Sequence, residues 1–230
     1  MRKQEVIHDP YFEGYISNYR KYESTFRQLE LYFLMVKKVI DQLKLKRNGR
    51  ILDIGCAYGI FLSFFDKIGW ETYGVDISEY ALNKARNYTK AKLYLHDVEK
   101  GLRLFDNNFF DVITMFDIIE HLRNPIYLLE EAQRVVKQKG LIFVTTPNVN
   151  SVTKVLMGKN WPALKDRTHK ILFTPYILKF AVERIGFKIL EVKTPQFYPF
   201  TKFSITNNKL FLFLIKHFPG GSSIWLVAKK

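Results

Sequence analysis

Small residues and carboxylates at the ends of apolar runs are where this sequence can do chemistry. Arg50-Ile51-Leu52-Asp53-Ile54-Gly55-Cys56-Ala57-Tyr58-Gly59-Ile60-Phe61 reads as a buried strand that runs into a tight turn and then a helix. With only small residues at 55, 57 and 59, a ligand can come close to the main chain. A dinucleotide fingerprint needs glycine at 55, 57 and 60, whereas this chain has Gly55, Ala57 and Ile60, which argues against a nicotinamide dinucleotide. The next strand ends in Tyr73-Gly74-Val75-Asp76-Ile77-Ser78. A carboxylate at such a strand end, about 20 residues beyond a nucleotide-binding turn, accepts hydrogen bonds from both hydroxyls of a ribose. Ser78 can cap the helix that follows, which leaves Asp76 for the ribose.

A second group lies further on. Asp117, Glu120 and His121 form an Asp-x-x-Glu-His sequence, and a helical turn would put them on one face. A histidine titrates near neutral pH and is the natural base for removing a proton from a hydroxyl. His121 and the distant His169 are the two candidates for catalysis, and for each a structural hydrogen-bonding role stands beside the catalytic one. Asp117, Glu120, His121 and His169 also make an alternative metal set. Imidazole is an unusual ligand for magnesium, so the expectation is a site without metal.

These groups need a scaffold, and the patterning supplies one. Between Gly49 and Leu190 short apolar runs alternate with amphipathic stretches, as in βαβ units around a mostly parallel sheet. Strands are expected over 51–54, 72–76, 92–96, 110–115, 141–145 and 188–193, and helices over 58–68, 78–88, 125–137 and 175–185. Thr174 as N-cap, Pro175 at the first helical position and Gly186 beyond the end punctuate the last helix. Before the first strand, Phe26, Leu29, Phe33, Val36, Ile40 and Leu43 recur with the spacing of one helix face, predicting a long amphipathic helix. The aromatic stretch 11–19 ahead of it is expected to pack on that helix. Pro195, Pro199, Asn207-Asn208 and Pro219-Gly220-Gly221 break the rhythm, so 195–221 reads as an insertion or lid and 222–230 as a final strand. The organisation expected is one domain: a helical segment 1–47, a cofactor-binding core 48–194, the insertion and the last strand.

At Asp53, Gly55, Ala57 and Gly59 the sequence resembles the class I S-adenosylmethionine-dependent methyltransferases, whose first motif is Asp/Glu-x-Gly-x-Gly-x-Gly; Ala57 replaces the middle glycine. The block 110–125, then Arg134 to Gly140 with Thr145-Thr146-Pro147-Asn148, and later His169, Phe173-Thr174-Pro175 and Gly186-Phe187 extend the resemblance over 48–194, in the branch of ubiquinone-biosynthesis O-methyltransferases. It implies an α/β fold, a Rossmann-like doubly wound, mostly parallel seven-stranded sheet with an N-terminal helical extension. It also implies S-adenosyl-L-methionine as cofactor. Asp53 would place the cofactor's amino group, Gly55, Cys56, Ala57 and Gly59 would wrap its methionine part, Asp76 and Ile77 would hold the ribose, Asp97 and Val98 would meet the adenine, and Phe116 would stand near the transferring methyl.

The leading expectation is O-methylation of a small molecule, lipid precursor or saccharide. Two alternatives stay open: an RNA methyltransferase with the Asp-x-x-Glu-His metal site, and a non-catalytic S-adenosylmethionine-binding protein. The charge of +14, from 36 basic against 22 acidic residues, would attract polyanions, but the cations are spread along the chain and no RNA-binding module is recognisable. Aromatic and apolar residues of the insertion, among them Phe197, Tyr198, Phe200, Phe203 and 210–215, favour an apolar pocket or a substrate at a membrane surface, with peripheral membrane contact. The longest apolar runs, 31–36 and 210–215, are far short of a membrane span, and the first residues lack the apolar core of a signal peptide. A single cysteine, Cys56, agrees with the reducing cytoplasm where the protein is expected.

Overall fold

The computed structural model describes residues 22–45, 48–195 and 220–230. The aromatic stretch 11–19 and most of the expected insertion lie outside the described residues. Helix α1 (Tyr22–Gln42) leads into β1 (Arg50–Ile54), α2 (Ile60–Lys67), β2 (Glu71–Asp76), α3 (Glu79–Ala85), β3 (Lys92–Leu95), β4 (Phe110–Phe116), α4 (Pro125–Val135) and β5 (Val136–Pro147). Short helices α5 (Val152–Met157) and α6 (Pro162–Lys165) precede α7 (Pro175–Arg184), β6 (Lys188–Lys193) and β7 (Ser223–Lys229). The strands form one seven-stranded sheet in the order β3-β2-β1-β4-β5-β7-β6. β1 to β5 are parallel, and β7 runs antiparallel between β5 and β6. This is the doubly wound architecture expected from the sequence.

β1 is buried at four consecutive positions, as a strand covered on both faces must be. Its alternating side chains divide the core. Leu52 and Ile54 join Ile113, Met115, Leu128, Leu129 and Leu178 beneath α4 and α7, while Ile51 joins Val112, Phe143, Phe61, Phe65 and Trp225 beneath α1 and α2. The helices begin where capping chemistry places them. Ser78 accepts the Ala81 N–H, Asn124 the Tyr127 N–H and Thr174 the Ile177 N–H, which satisfies amides that have no partner inside a helix.

Three boundaries differ from the sequence expectation. Helix α4 stops at Val135 because β5 already begins at Val136, not at 141. Residues 137–140 bulge opposite Asp111, whose Oδ2 accepts from Lys137 Nζ at 2.7 Å. In α1 the buried stripe is Tyr32, Val36 and Ile40, whereas Phe26 and Leu43 are exposed; the polar-tipped tyrosine takes the centre of the face. Finally, α5, α6 and three 3₁₀ turns occupy stretches where no helix was expected, being too short to show a period.

Candidate active site

A cleft opens at the carboxyl ends of β1, β2, β3 and β4, where strand order reverses between β1 and β4 and ligands of such sheets bind. Gly55, Ala57, Asp76 and Asp97 line one part of it, and Asp117 and His121 another. Gly55 and Ala57 have φ 76 and 46, a left-handed backbone that turns their main chain outward. A Cβ on Gly55 would lie 2.1 Å from Ile118 Cδ1, so the main chain at 55 stays bare. This turn is pinned by Asp76, whose Oδ2 accepts the Ala57 N–H at 2.8 Å and whose Oδ1 accepts the Ser78 N–H at 2.9 Å.

Asp53 lies buried behind the turn, its Oδ1 accepting from Thr114 Oγ1 at 2.6 Å. Burial pushes its carboxyl up to about 7, with the charge of Asp76 adding to the effect and the Thr114 hydroxyl opposing it. Asp97 Oδ1 caps the turn Val98–Lys100 by accepting the Glu99 N–H at 3.0 Å. Val98 lines the cleft, as does Ile77, which is 58% exposed. The other residues named from the sequence sit elsewhere. Cys56 is buried, Gly59 faces Thr89 and Ala85, and the Phe116 ring packs on Tyr32, Phe61 and Trp225, with centroids 4.5, 5.0 and 6.0 Å away.

The Asp-x-x-Glu-His group does not form one helical face. Asp117 takes φ 52 before a 3₁₀ turn, Ile119–His121, and this reverses its side chain. Its Oδ1 accepts from Thr145 Oγ1 at 3.1 Å and its Oδ2 from the Tyr32 hydroxyl at 3.5 Å. Glu120, His121 and His169 instead come together, with ligand atoms all within 4.8 Å of one another. Glu120 is fully buried; Thr146 Oγ1 donates to its Oε2 at 2.9 Å, while Oε1 has no partner among the described residues. Burial, then the charge of Asp117, hold its carboxyl well above the usual range.

The two imidazoles stand with ring centroids 4.7 Å apart. His169 Nδ1 donates to the Ala163 carbonyl at 2.8 Å, and its Nε2 lies 3.7 Å from Asp166 Oδ2. His121 Nδ1 shares a hydrogen bond with Thr168 Oγ1 at 2.9 Å. Burial, then the neighbouring His169, hold His121 down to about 4, so it is neutral at pH 7. The loop that carries His169 is tied to this turn: Lys170 N–H and Ile171 N–H both donate to the Glu120 carbonyl. It is also tied across the cleft, where Lys170 Nζ meets Glu99 Oε1 at 3.0 Å. Sequence reasoning missed Tyr32, Thr114, Thr168 and the Glu99–Lys170 pair, all partners brought in by tertiary structure from distant positions.

The model of a methyltransferase domain matches residues 26–192. The ubiquinone biosynthesis O-methyltransferase of Glaesserella parasuis serovar 5 (strain SH0165) is 26% identical over 176 residues, 68% of this chain and 74% of that protein. Among solved structures, a SAM-dependent methyltransferase from Archaeoglobus fulgidus is similar with a TM-score of 0.66 and 24% identity, over 92% of this chain and 99% of the other. A possible histamine N-methyltransferase from Thermotoga maritima has a TM-score of 0.69 at 20% identity, over 95% and 98% of the two chains. At these identities the solved structures bear on the fold alone.

Proposed function

This chain belongs to the methyltransferase-domain family and is an S-adenosylmethionine-dependent methyltransferase, and on that premise we propose that it methylates an oxygen of a small molecule, lipid precursor or saccharide. One observation carries the reading: a single cleft joins Asp76 and the turn at Gly55 to the neutral imidazole of His121. When bound, the sulfonium cofactor supplies an already activated methyl group. Asp76 receives the ribose hydroxyls, Asp53 the amino group, and Asp97 with Val98 the adenine. Gly55 and Ala57, both with left-handed backbone, line the cleft. His121 takes the proton of the acceptor hydroxyl, its Nδ1 steadied by Thr168. Aligning acceptor and methyl donor is the larger effect, since well-oriented reactants lower the barrier by about 7–11 kcal/mol. Similarity to a ubiquinone biosynthesis enzyme supports an oxygen acceptor.

Calorimetric titration with S-adenosylmethionine, S-adenosylhomocysteine and NAD tests the first half of this reading. Binding of the two sulfur nucleotides and not NAD is expected; binding of neither would end it. A panel of phenolic, catecholic and sugar acceptors with labelled cofactor tests the second half, and tight cofactor binding without turnover of any acceptor would favour a non-catalytic binding protein.

A second reading is supported by the partnerless Glu120 Oε1 beside His121 and His169. A carboxylate and two imidazoles suit a divalent transition metal better than magnesium, and Asp117, turned to Thr145 and Tyr32, is not one of the ligands. Cobalt(II) titration checks it: ligand-field absorption that Glu120→Gln abolishes would support the metal, and a silent spectrum would leave His121 as base.

A further inference from the structure

The loop between α6 and α7 brings two polar side chains, Asp166 and Thr168, to the imidazole of His121. Thr168 Oγ1 stands between a carboxylate and a ring nitrogen: Asp166 Oδ1 is 2.5 Å away and His121 Nδ1 2.9 Å. A hydroxyl has one proton, so it can donate to only one of the two. The shorter separation is that of a hydroxyl donating to an ionised carboxylate, and the longer one that of a ring N–H donating to an oxygen. Asp166 is held as an acceptor. Burial works to raise its carboxyl, but the Thr168 hydroxyl and main-chain N–H outweigh burial and keep it below the ordinary value. That N–H reaches the same Oδ1 at 2.9 Å, while Oδ2 lies 3.7 Å from His169 Nε2, beyond hydrogen-bond reach.

We propose that Asp166 and Thr168 are positioning residues that fix the tautomer of His121. With the hydroxyl proton committed to Asp166, Thr168 Oγ1 meets Nδ1 as an acceptor. Nδ1 therefore carries the ring proton, and Nε2 of the neutral imidazole keeps the lone pair. The inference rests on His121 being the base for an acceptor hydroxyl, and it adds which nitrogen receives the proton and what holds that nitrogen ready. The proton of the hydroxyl passes to Nε2. The electron pair left behind stays on the oxygen, which bonds to the methyl carbon, and the pair of the broken carbon–sulfur bond remains on sulfur. The imidazolium so formed keeps its Nδ1–H on Thr168, with the negative charge of Asp166 just beyond. In hydrolytic triads a carboxylate likewise orients a histidine and stabilises the imidazolium it becomes; here a hydroxyl is interposed between the two.

Nitrogen-15 spectra of the imidazoles, taken at pH 7 on the full chain with its five histidines labelled, test this without any acceptor. The signals that His121→Ala removes identify the ring, and their shifts tell a protonated nitrogen from one with a lone pair. The parent should show Nδ1 protonated. Asp166→Ala frees the Thr168 proton for donation to Nδ1 and should move the ring to the Nε2–H form. Thr168→Val should give a mixture of the two forms, and Thr168→Ser should keep the parent signals. Methyl transfer to catechol from labelled S-adenosylmethionine is the second readout. Asp166→Ala and Thr168→Val should each lower kcat about 10²-fold with KM for the cofactor unchanged, and Thr168→Ser should recover most of the rate. Parent-like S-adenosylhomocysteine binding would confirm that the variants are folded. An Nε2–H ring in the parent, or an Nδ1–H ring that survives both Asp166→Ala and Thr168→Val, would overturn the proposal. A tautomer that shifts as expected while kcat stays at the parent value would overturn His121 as the base, and the role in turnover with it, so the two failures are told apart.

Discussion

Asp53 keeps a carboxyl where water cannot reach it, and its proton follows from that. Its native pKa of about 7 stands above the ordinary carboxylate value. Between about pH 4 and 7 the native state therefore holds a proton that the unfolded chain has lost, and stability falls as pH rises through this window, by up to about 1.4 kcal/mol per unit. An ammonium placed beside it would favour the ionised form. Asp53→Asn should thus make the ligand-free protein more heat-stable than the parent at pH 7 to 8, with less difference at pH 5, while weakening cofactor binding. Binding to the parent near pH 6 to 7 should release a proton, which calorimetry in buffers of different ionisation enthalpy measures, and the variant should release none. The other carboxylate separates binding from turnover. Asp76→Ala removes both the ribose acceptor and the brace of Ala57, and should weaken affinity at least ten-fold. His121→Ala should leave affinity near the parent value and reduce the rate 10²-fold or more. Unchanged affinity in the Asp76 variant would remove its assignment.

Helix α1 reaches into the site through one residue. Tyr32 is 2% exposed and packs on Phe116 and Trp225, while its hydroxyl accepts from Gln28 and donates to Asp117. Tyr32→Phe keeps the packing and removes the donor, so it should cost about 1 kcal/mol in stability and lower turnover more than cofactor affinity. Ile40→Ala on the same helix empties core space and should cost about 2–5 kcal/mol without altering the rate of the folded fraction. Urea titration and steady-state kinetics on the pair separate the two. How far the sequence could be read also divides at this scale. Long periodic segments and capped helices were legible, because Thr174-Pro175 or an alternating buried strand states its own limits. Asp117 was not, since spacing alone predicted a helical face and only the left-handed φ of 52 shows the side chain turned away. Nor was Tyr32, whose partner lies 85 residues away in sequence. Asp53, Gly55 and Asp76 were legible because the turn they build is local.

At the scale of the molecule the sheet separates two cores, and Trp225 on β7 fills the one beneath α1 and α2. Its ring is fully buried against Phe143, Phe116 and Tyr32. Trp225→Ala should cost about 3–5 kcal/mol, read from the urea midpoint, and should loosen α1 along with the sheet, so protease sensitivity within 22–42 should rise together with the loss of stability. The charge of +14 was legible in full but names no partner by itself.

The place of β7 between β5 and β6 has a consequence in time. A ribosome delivers β5 well before β7, and residues 141–146 of β5 are apolar or hydroxyl side chains that end fully buried. Until Ser223 to Lys229 emerges, that strand has one open edge and β6 has no neighbour to pair with. Such an edge is a template for pairing with another nascent chain. The growing polypeptide must keep its most apolar strand from foreign partners while some 75 further residues are made, so the hazard for this protein in the cell lies in the seconds of its synthesis, at high expression and with chaperones scarce, more than in the finished fold.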